Sequence, residues 1–344
     1  MSKFMRAIDI KNGTGPASSL FLNNEIPVPI PAASQALVKI RAFGLNRMDL
    51  MQREGKYNVP PQAGRILGVE FSGVIVALGE GGDAGDFRVG DEVFGLAYGG
   101  AYAEYIAVST RMLIHKPAQL SWIQAAGIPE TWITASQALF LVGCFHPADA
   151  VLFHAGASAV SIAGIQLAVF SGASAVFTTA GSDEKVAFCE QLGATKGFNY
   201  KTQDWAKGVL EATGGRGVDV IVDFIGKDYA IKNFEVAAID GRIVQLASLS
   251  GSILPAGLDV GILERKRLRW EGSRLRSRDL DYQGKLRDLL VEKALPRFVD
   301  GTFKIPIERL FDWKEVRRAH ELMESNQSKG KIICTVDAAG VADW

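Results

Sequence analysis

The rhythm of apolar and polar positions changes once along the chain. Up to about residue 125, apolar residues fall in short runs: ALVKIRAFGL, GVEFSGVIVALG and GDEVFGLAYGGAYAEYIAV. Each is bounded by Gly, Pro or Asp, which predicts strands and turns. FRVGDEVFGL places Gly-Asp between two β-rich runs, a turn signal, and NRMDLMQREG is the helix predicted here. From about 126, short apolar runs alternate with helical stretches. AVLFHAG precedes a helix rich in Ala and Ile, ASAVFTTAG precedes SDEKVAFCEQLG, and GVDVIVDFIG precedes YAIKNFEVAAIDG; GRIVQLAS and RLRWEGSRL continue the series. Strands apolar on both faces and separated by helices predict a parallel sheet with right-handed crossovers, in the order of a doubly wound dinucleotide-binding fold. After Asp279 come a helix in YQGKLRDLLVEKAL, a strand in KIPIERLFDW, a helix in KEVRRAHELMESN and a strand in KIICTV. This tail is expected to leave the nucleotide domain and complete the first one.

Charge changes this picture in two places. Residues 150–182 contain no Asp, Glu, Lys or Arg, which raises a membrane span. Yet His154 and several Gly and Ser residues break the stretch into short apolar runs, so two buried strands around a buried helix explain it better. The run ERKRLRWEGSRLRSR, Glu264 to Arg278, is strongly basic. Leu268, Trp270 and Gly272 alternate there with Arg269, Glu271 and Ser273, which predicts a strand with one exposed face rather than a nucleic-acid contact.

Composition sets the remaining bounds. A length of 344 residues suggests two domains, and 48% hydrophobic with 22% charged residues describes a soluble globular chain. Lys plus Arg equals Asp plus Glu at 38 each, so net charge gives no reason to expect a membrane or nucleic-acid partner. Three separated cysteines, Cys144, Cys189 and Cys334, argue against a disulfide framework or a clustered zinc site and point to the reduced cytoplasm. The N-terminus MSKFMRAIDIKNGTG has no apolar core of signal-peptide length. His115, His146, His154 and His320 show no ligand spacing and read as caps or surface residues.

FHAGASAVSIAGIQLA sits where a strand meets a helix. A GxGxxG turn would place glycines where Gly156, Ser158 and Ser161 stand, so only the first fits. At the end of the next strand an NAD-specific site carries Asp or Glu for the ribose 2′-hydroxyl; this chain has Thr179, Ala180, Gly181 and Ser182. Lys185 stands one helical turn on, and Tyr200 ends GFNY. A neutral strand end with hydroxyl and cationic groups suits a 2′-phosphate, which favours NADPH.

The segments GLNRMDLMQREGKYNVPP, ILGVEFSGVIVALG, AAGIPETWITASQAL, HAGASAVSIAGIQLA, TAGSDEK, LGATKGFNY and SKGKIICTV together resemble the zinc-independent quinone oxidoreductases of the medium-chain dehydrogenase/reductase superfamily. Within it, NRMDLMQREGKY, IPETWITA and LRSRD are most similar to the tumour-suppressor-inducible branch. The resemblance implies an α/β fold: a GroES-like β-rich catalytic domain at 1–125, completed by 276–344, plus a Rossmann NADPH-binding domain with a doubly wound parallel sheet at 126–275. It implies hydride transfer from NADPH to a quinone in the cleft between the domains. It also implies a homodimer through the last Rossmann strand.

Zinc alcohol dehydrogenases of the superfamily carry Cys where Asn46 stands and a Gly-His-Glu turn where this chain reads Gly68-Val69-Glu70. Valine cannot ligate a metal. A quinone or an activated enone accepts hydride without a metal, because the electrophile delocalises the incoming charge, and the site must only align the reactants and donate hydrogen bonds.

The resemblance points to Asn46 and Tyr57 as catalytic. Asn46 would bond substrate or nicotinamide ribose, or else only cap the helix NRMDLMQREG. Tyr57 would stack on the quinone or donate its hydroxyl, or else only pack into a turn. Glu70 reads as a structural partner rather than a general base. For the cofactor, Thr134 is expected at the nicotinamide end, and Gly156, Ser158, Ala159 and Val160 at the pyrophosphate. Gly181, Ser182, Lys185 and Tyr200 are expected around the 2′-phosphate, and Ser248, Leu275 and Arg276 near the nicotinamide half. Lys331 is expected to close the site. Ser158 is ordinary in the family; Ala159 and Ser161 depart from its glycines, and Ser161 threatens close helix–strand packing. Two other readings stay open: an NADPH-dependent reductase of enone or alkenal double bonds, and a non-catalytic structural or regulatory protein with impaired nucleotide binding.

Overall fold

A computed structural model describes residues 3–254 and 258–336. Residues 337–344 of the expected completing tail lie outside the described residues. The chain divides into two compact units, 134–275 forming one and the flanking segments the other. The first junction falls between Ile133 and Thr134 rather than at 125–126. The reason is packing: Ile123 and Ala126 share a buried cluster with Ala42 and Ile333 of the first unit's sheet.

The first unit is built on a seven-stranded sheet in the order Ile307–Asp312, Lys331–Thr335, Gln35–Gly44, Glu70–Leu78, Glu92–Leu96 and Leu113–His115, with Tyr105–Ser109 also paired to Gln35–Gly44. Lys331–Thr335 is therefore interior to the sheet although it comes from the far end of the sequence, pairing antiparallel to Gln35–Gly44 through Ile333–Gly44 and Cys334–Phe43. The helix Arg47–Arg53 follows the end of Gln35–Gly44, and Leu280–Leu289 and Val316–Glu324 come from the tail. Two strand predictions need correction. Phe87–Val89 forms no strand before the Gly90 turn, and GDEVFGLAYGGAYAEYIAV breaks in two where Gly100 takes a positive φ of 98°.

The second unit is a six-stranded sheet in the spatial order Lys196–Asn199, Ala175–Ala180, Ala150–Phe153, Val218–Asp223, Ala237–Gln245 and Arg269–Gly272. Every pairing is parallel. Numbered along the chain, the strands lie 3-2-1-4-5-6, the doubly wound order whose reversal beside strand 1 opens a crevice at the strands' carboxyl ends. Leu152, Phe177, Phe198, Trp205, Ile221, Phe234 and Ile243 form the core on one side of this sheet.

The uncharged stretch 150–182 becomes two strands around the helix Ala159–Phe170. At about 1.5 Å per residue that helix is far shorter than a ~30 Å hydrocarbon layer. Among the described residues no helix is long and apolar enough to cross a membrane. The last strand, Arg269–Gly272, is exposed at all four positions rather than on one face, because only Ala237–Gln245 pairs with it among the described residues.

Candidate functional site

The turn after Ala150–Phe153 is shaped by backbone constraints. Ala155 adopts a left-handed φ of 49°, and a Cβ on Gly156 would stand 1.9 Å from Thr178 Oγ1. That oxygen is held in place because it donates to the Phe153 carbonyl at 2.8 Å, so only glycine fits. Ser158 caps the helix, its hydroxyl accepting from the Ser161 N–H at 3.4 Å. The amides of Ala159 and Val160 open the helix and have no intrahelical acceptor, so they add hydrogen-bond donors to the positive end of the helix dipole. Such a concavity receives an anion.

Ser161 does not create the strain expected of it. Its hydroxyl is fully buried and donates to the His154 carbonyl at 2.7 Å. The close helix–strand contact belongs instead to Gly164, where a Cβ would lie 2.2 Å from the Phe153 ring. The need for glycine has moved three residues, one turn along the same face of the helix, from Ser161 to Gly164.

Beside this turn, Gly181, Ser182, Lys185 and Tyr200 come together. A Cβ on Gly181 would be 2.7 Å from the Tyr200 hydroxyl, and Ser182 caps Asp183–Gln191 by accepting from the Lys185 N–H at 3.3 Å. No carboxylate ends the strand; the nearest, Asp183, accepts from Asn199 Nδ2 at 2.7 Å. His154 and His320 are fully buried, not caps or surface residues. His154 Nε2 bonds Asn233 Oδ1 at 2.7 Å and Nδ1 bonds Thr179 Oγ1 at 3.0 Å, while burial lowers its pKa to about 4 and keeps it neutral. Tyr229, which no sequence signal singled out, packs edge-on to His154 and lies 6.5 Å from the Tyr200 ring. Thr134 is half-buried on the helix Pro129–Ser136, Ser248 accepts from Gln245 Nε2 at 2.8 Å, and Leu275 is buried.

In the first unit, Asn46 and Lys331 meet at Glu70. The Asn46 Nδ2 donates to Glu70 Oε1 at 2.8 Å, and Lys331 Nζ donates to Asn46 Oδ1 at 3.1 Å, to the Leu45 carbonyl at 2.9 Å and to Glu70 Oε1. Glu70 Oε2 accepts from the Glu130 N–H at 2.9 Å. Asn46 is the N-cap of Arg47–Arg53, but its side chain is turned to this cluster; the Asp49 carboxylate instead accepts from the Asn46 N–H at 2.8 Å. Lys331 is buried with its three hydrogens engaged within this unit, which leaves none for the nucleotide contact expected of it.

Burial dominates the electrostatics of this cluster. It raises Asp49 to about 6 and, with Glu70 nearby, Glu130 to about 8. Asp49 also accepts from Tyr102 Oη at 3.2 Å, and Tyr102 meets His320 at 3.3 Å. Glu130 and Asp49 belong to this constellation without any motif announcing them; their only trace is a charged residue inside an otherwise apolar stretch, as in IPETWITA.

Tyr57 and Arg276 form a second group. The Arg276 guanidinium lies 5.4 Å from the Tyr57 ring centroid, with Nε donating to the Tyr98 carbonyl at 2.6 Å and Nη1 to Gln52 Oε1 at 2.7 Å. Arg276 Nη2 is buried without a hydrogen-bond partner among the described residues. Leu275 ends the second unit and Arg276 begins the returning segment of the first.

Residues 32–118 match the alcohol dehydrogenase GroES-like domain and 159–292 the zinc-binding dehydrogenase family. The quinone oxidoreductase of Homo sapiens is 30% identical over 247 residues, 72% of this chain and 74% of that protein. The chain belongs to the quinone oxidoreductases of the medium-chain dehydrogenase/reductase superfamily. Quinone oxidoreductase-like protein 2 of Bos taurus is 29% identical and spans 92% of this chain and 89% of its own length. Among solved structures, the quinone oxidoreductase of Coxiella burnetii superposes with a TM-score of 0.78 at 30% identity, covering 97% of this chain and 100% of that one. This family member thus pairs a GroES-like domain with a Rossmann sheet, and its family uses a nicotinamide cofactor.

The zinc implied by one family name does not fit here. The Asn46 amide is already held by Glu70 and Lys331, Val69 offers a buried methyl-bearing side chain, and the Lys331 ammonium would repel a second cation. Among the described residues no group of three or more His, Cys, Asp or Glu side chains could hold a metal ion. A dinucleotide does fit, because the Ala159 and Val160 amides that open the helix have no intrahelical acceptor and can donate to a pyrophosphate.

Proposed function

We propose that this family member reduces quinones with NADPH by hydride transfer that uses no metal. The observation that carries the reading is the Asn46 side chain, an amide held between Glu70 and Lys331: a hydrogen-bond donor site at a position where the superfamily's zinc enzymes need a metal ligand.

The bound dinucleotide supplies a hydride. In this reading the amides at 156–160 and the Ser158 hydroxyl hold the pyrophosphate, and Gly181, Ser182, Lys185 and Tyr200 surround the 2′-phosphate. Thr134, Ser248 and Leu275 line the nicotinamide half. Asn46 donates to the substrate oxygen as negative charge develops there, and Tyr57, steadied by Arg276, stacks on the quinone. The carboxylate-free strand end supports NADPH over NADH. The three free cysteines, Cys144, Cys189 and Cys334, support a cytoplasmic setting, and the exposed Arg269–Gly272 edge supports a homodimer.

Reduction of an enone double bond is a second reading, supported by likeness to the CurK enoyl reductase at 25% identity and a TM-score of 0.81. Nucleotide fluorescence titration followed by a panel of ortho-quinones, para-quinones and enones tests both. NADPH binding with quinone turnover is expected; turnover of enones alone selects the second reading. If neither nucleotide binds, the chain is a non-catalytic member of the family. Tyr57→Ala is expected to slow quinone reduction, and an unchanged rate removes Tyr57 from the site.

A further inference from the structure

We propose that Glu70 and Lys331 are positioning residues that lock the Asn46 side-chain amide in one of its two orientations, so that it presents an N–H and never a carbonyl to the substrate. This rests on the reading above, in which Asn46 faces a substrate oxygen.

A side-chain amide is nearly symmetric in shape, and turning it by half a revolution exchanges a donor for an acceptor. A donor speeds reduction by stabilising the developing oxyanion; an acceptor in its place opposes it. At Asn46 the choice is decided by chemistry rather than by fit. Lys331 has only donors and lies against Oδ1, while the Glu70 carboxylate has only acceptors and lies against Nδ2. The turned amide would set NH₂ against ammonium and carbonyl against carboxylate in a buried place, where unmatched polar groups are costly. The second Nδ2 hydrogen has no partner among the described residues, and Asn46 is part-exposed, so this hydrogen is the one on offer.

The pair is itself held from several sides. Lys331 Nζ is anchored to the Leu45 carbonyl at 2.9 Å, and Glu70 Oε2 to the Glu130 N–H at 2.9 Å. Gly44 makes the room: a Cβ there would come within 2.4 Å of Glu70 Oε1. The Glu130 carboxyl, pushed up to about 8 by burial and by Glu70, is protonated at neutral pH and does not compete for the ammonium. The side-chain amide therefore meets one cation and one anion, while the Asp49 carboxylate takes the Asn46 backbone N–H.

The test combines NMR of the nucleotide-free protein with kinetics on NADPH and a para-quinone. With ¹⁵N-labelled asparagine, the Asn46 side-chain signal is identified by its loss in Asn46→Asp. One Nδ2 proton, bonded to carboxylate, is expected well downfield of its twin; the separation survives in Lys331→Arg and collapses in Lys331→Met. In the same variants, Lys331→Met is expected to lower kcat about tenfold or more with KM for NADPH within about twofold, and Lys331→Arg to recover most of the rate. Should Lys331→Met fail to fold, Glu70→Gln with Lys331→Gln replaces the charges by amides that satisfy either orientation, and the same collapse and rate loss are expected.

An amide signal unchanged in these variants overturns the proposal. So does a raised KM for NADPH with kcat intact, which would make Lys331 a nucleotide contact. A wild-type protein that binds NADPH but reduces no quinone overturns the functional reading instead, while the amide signal still decides the orientation.

Discussion

The phosphate-type turn of the second unit and the Asn46 cluster of the first solve different problems with different materials. The turn is made of backbone and small side chains from one contiguous stretch, and its specificity comes from what has no room, as at Gly156. The cluster uses charged side chains carried by segments near residues 46, 70, 130 and 331, and its specificity comes from which donor meets which acceptor. A site for a constant group such as a pyrophosphate can be local. A site that must hold one amide in one orientation needs opposite charges on two sides, and a short stretch of chain cannot supply both.

Five substitutions, one of them combined with a second-site change, break or sharpen this contrast. The largest effect is expected at the turn. Gly156→Ala forces its new methyl onto Thr178 Oγ1 and should weaken NADPH by at least ~100-fold in a fluorescence titration. Adding Thr178→Ala should return part of that loss, since the two sites share the clash. Undiminished affinity in the single variant would remove the turn from the nucleotide site.

The cluster should respond to pH where the turn does not. Glu130 is raised to about 8, first by burial and then by Glu70. The folded chain therefore binds this proton more tightly than the unfolded chain, so its stabilising effect is complete below the unfolded carboxyl range and is lost as pH rises through about 8. Glu130→Gln should abolish that decline, making the variant more stable than wild type by roughly 2 kcal/mol at pH 8.5 in urea unfolding, with a smaller gap at pH 5. Equal gaps at both values would show that Glu130 is ionised throughout.

Smaller effects distinguish the two helix positions behind the turn. Gly164→Ala sets a methyl against the buried Phe153 ring and should cost ~1–2 kcal/mol after the helix-propensity gain is counted. Ser161→Gly restores the glycine template yet loses the bond to the His154 carbonyl, so it should lower stability by ~1 kcal/mol in thermal unfolding. A rise in stability would mean that the template position still wants glycine.

The smallest effect is expected at the rim. Lys185→Ala should weaken NADPH by ~5–10-fold and leave NADH unchanged. Equal losses for both would remove Lys185 from the 2′-phosphate.

How far the sequence carried depends on how local each feature is. Periodicity reported the parallel strands of the second unit, the helix after FHAG and the returning tail, because each rests on side-chain spacing within a single element. It misread two of the four histidines, His154 and His320: His154 is buried by Trp205 and Tyr229, far along the chain. It placed the first junction too early, since the helix residues after 121 look alike whichever sheet they cover. It placed Asn46 at the cap of its helix but not in the Glu70–Lys331 cluster, and it treated Lys331 as a nucleotide contact, because nothing near either residue names its partner.

By itself, then, the sequence determined the two architectures, the obligatory glycine of the turn and the absence of metal-ligating side chains at residues 46 and 69. These follow from residue type and short-range spacing, which survive without knowledge of the fold. Only the tertiary structure decided that Gly164 rather than Ser161 meets the strand, that Lys331 is sealed within the first unit, and that Asn46 is held between an acceptor and a donor. Those facts depend on contacts between segments tens or hundreds of residues apart, and burial gives those contacts their strength.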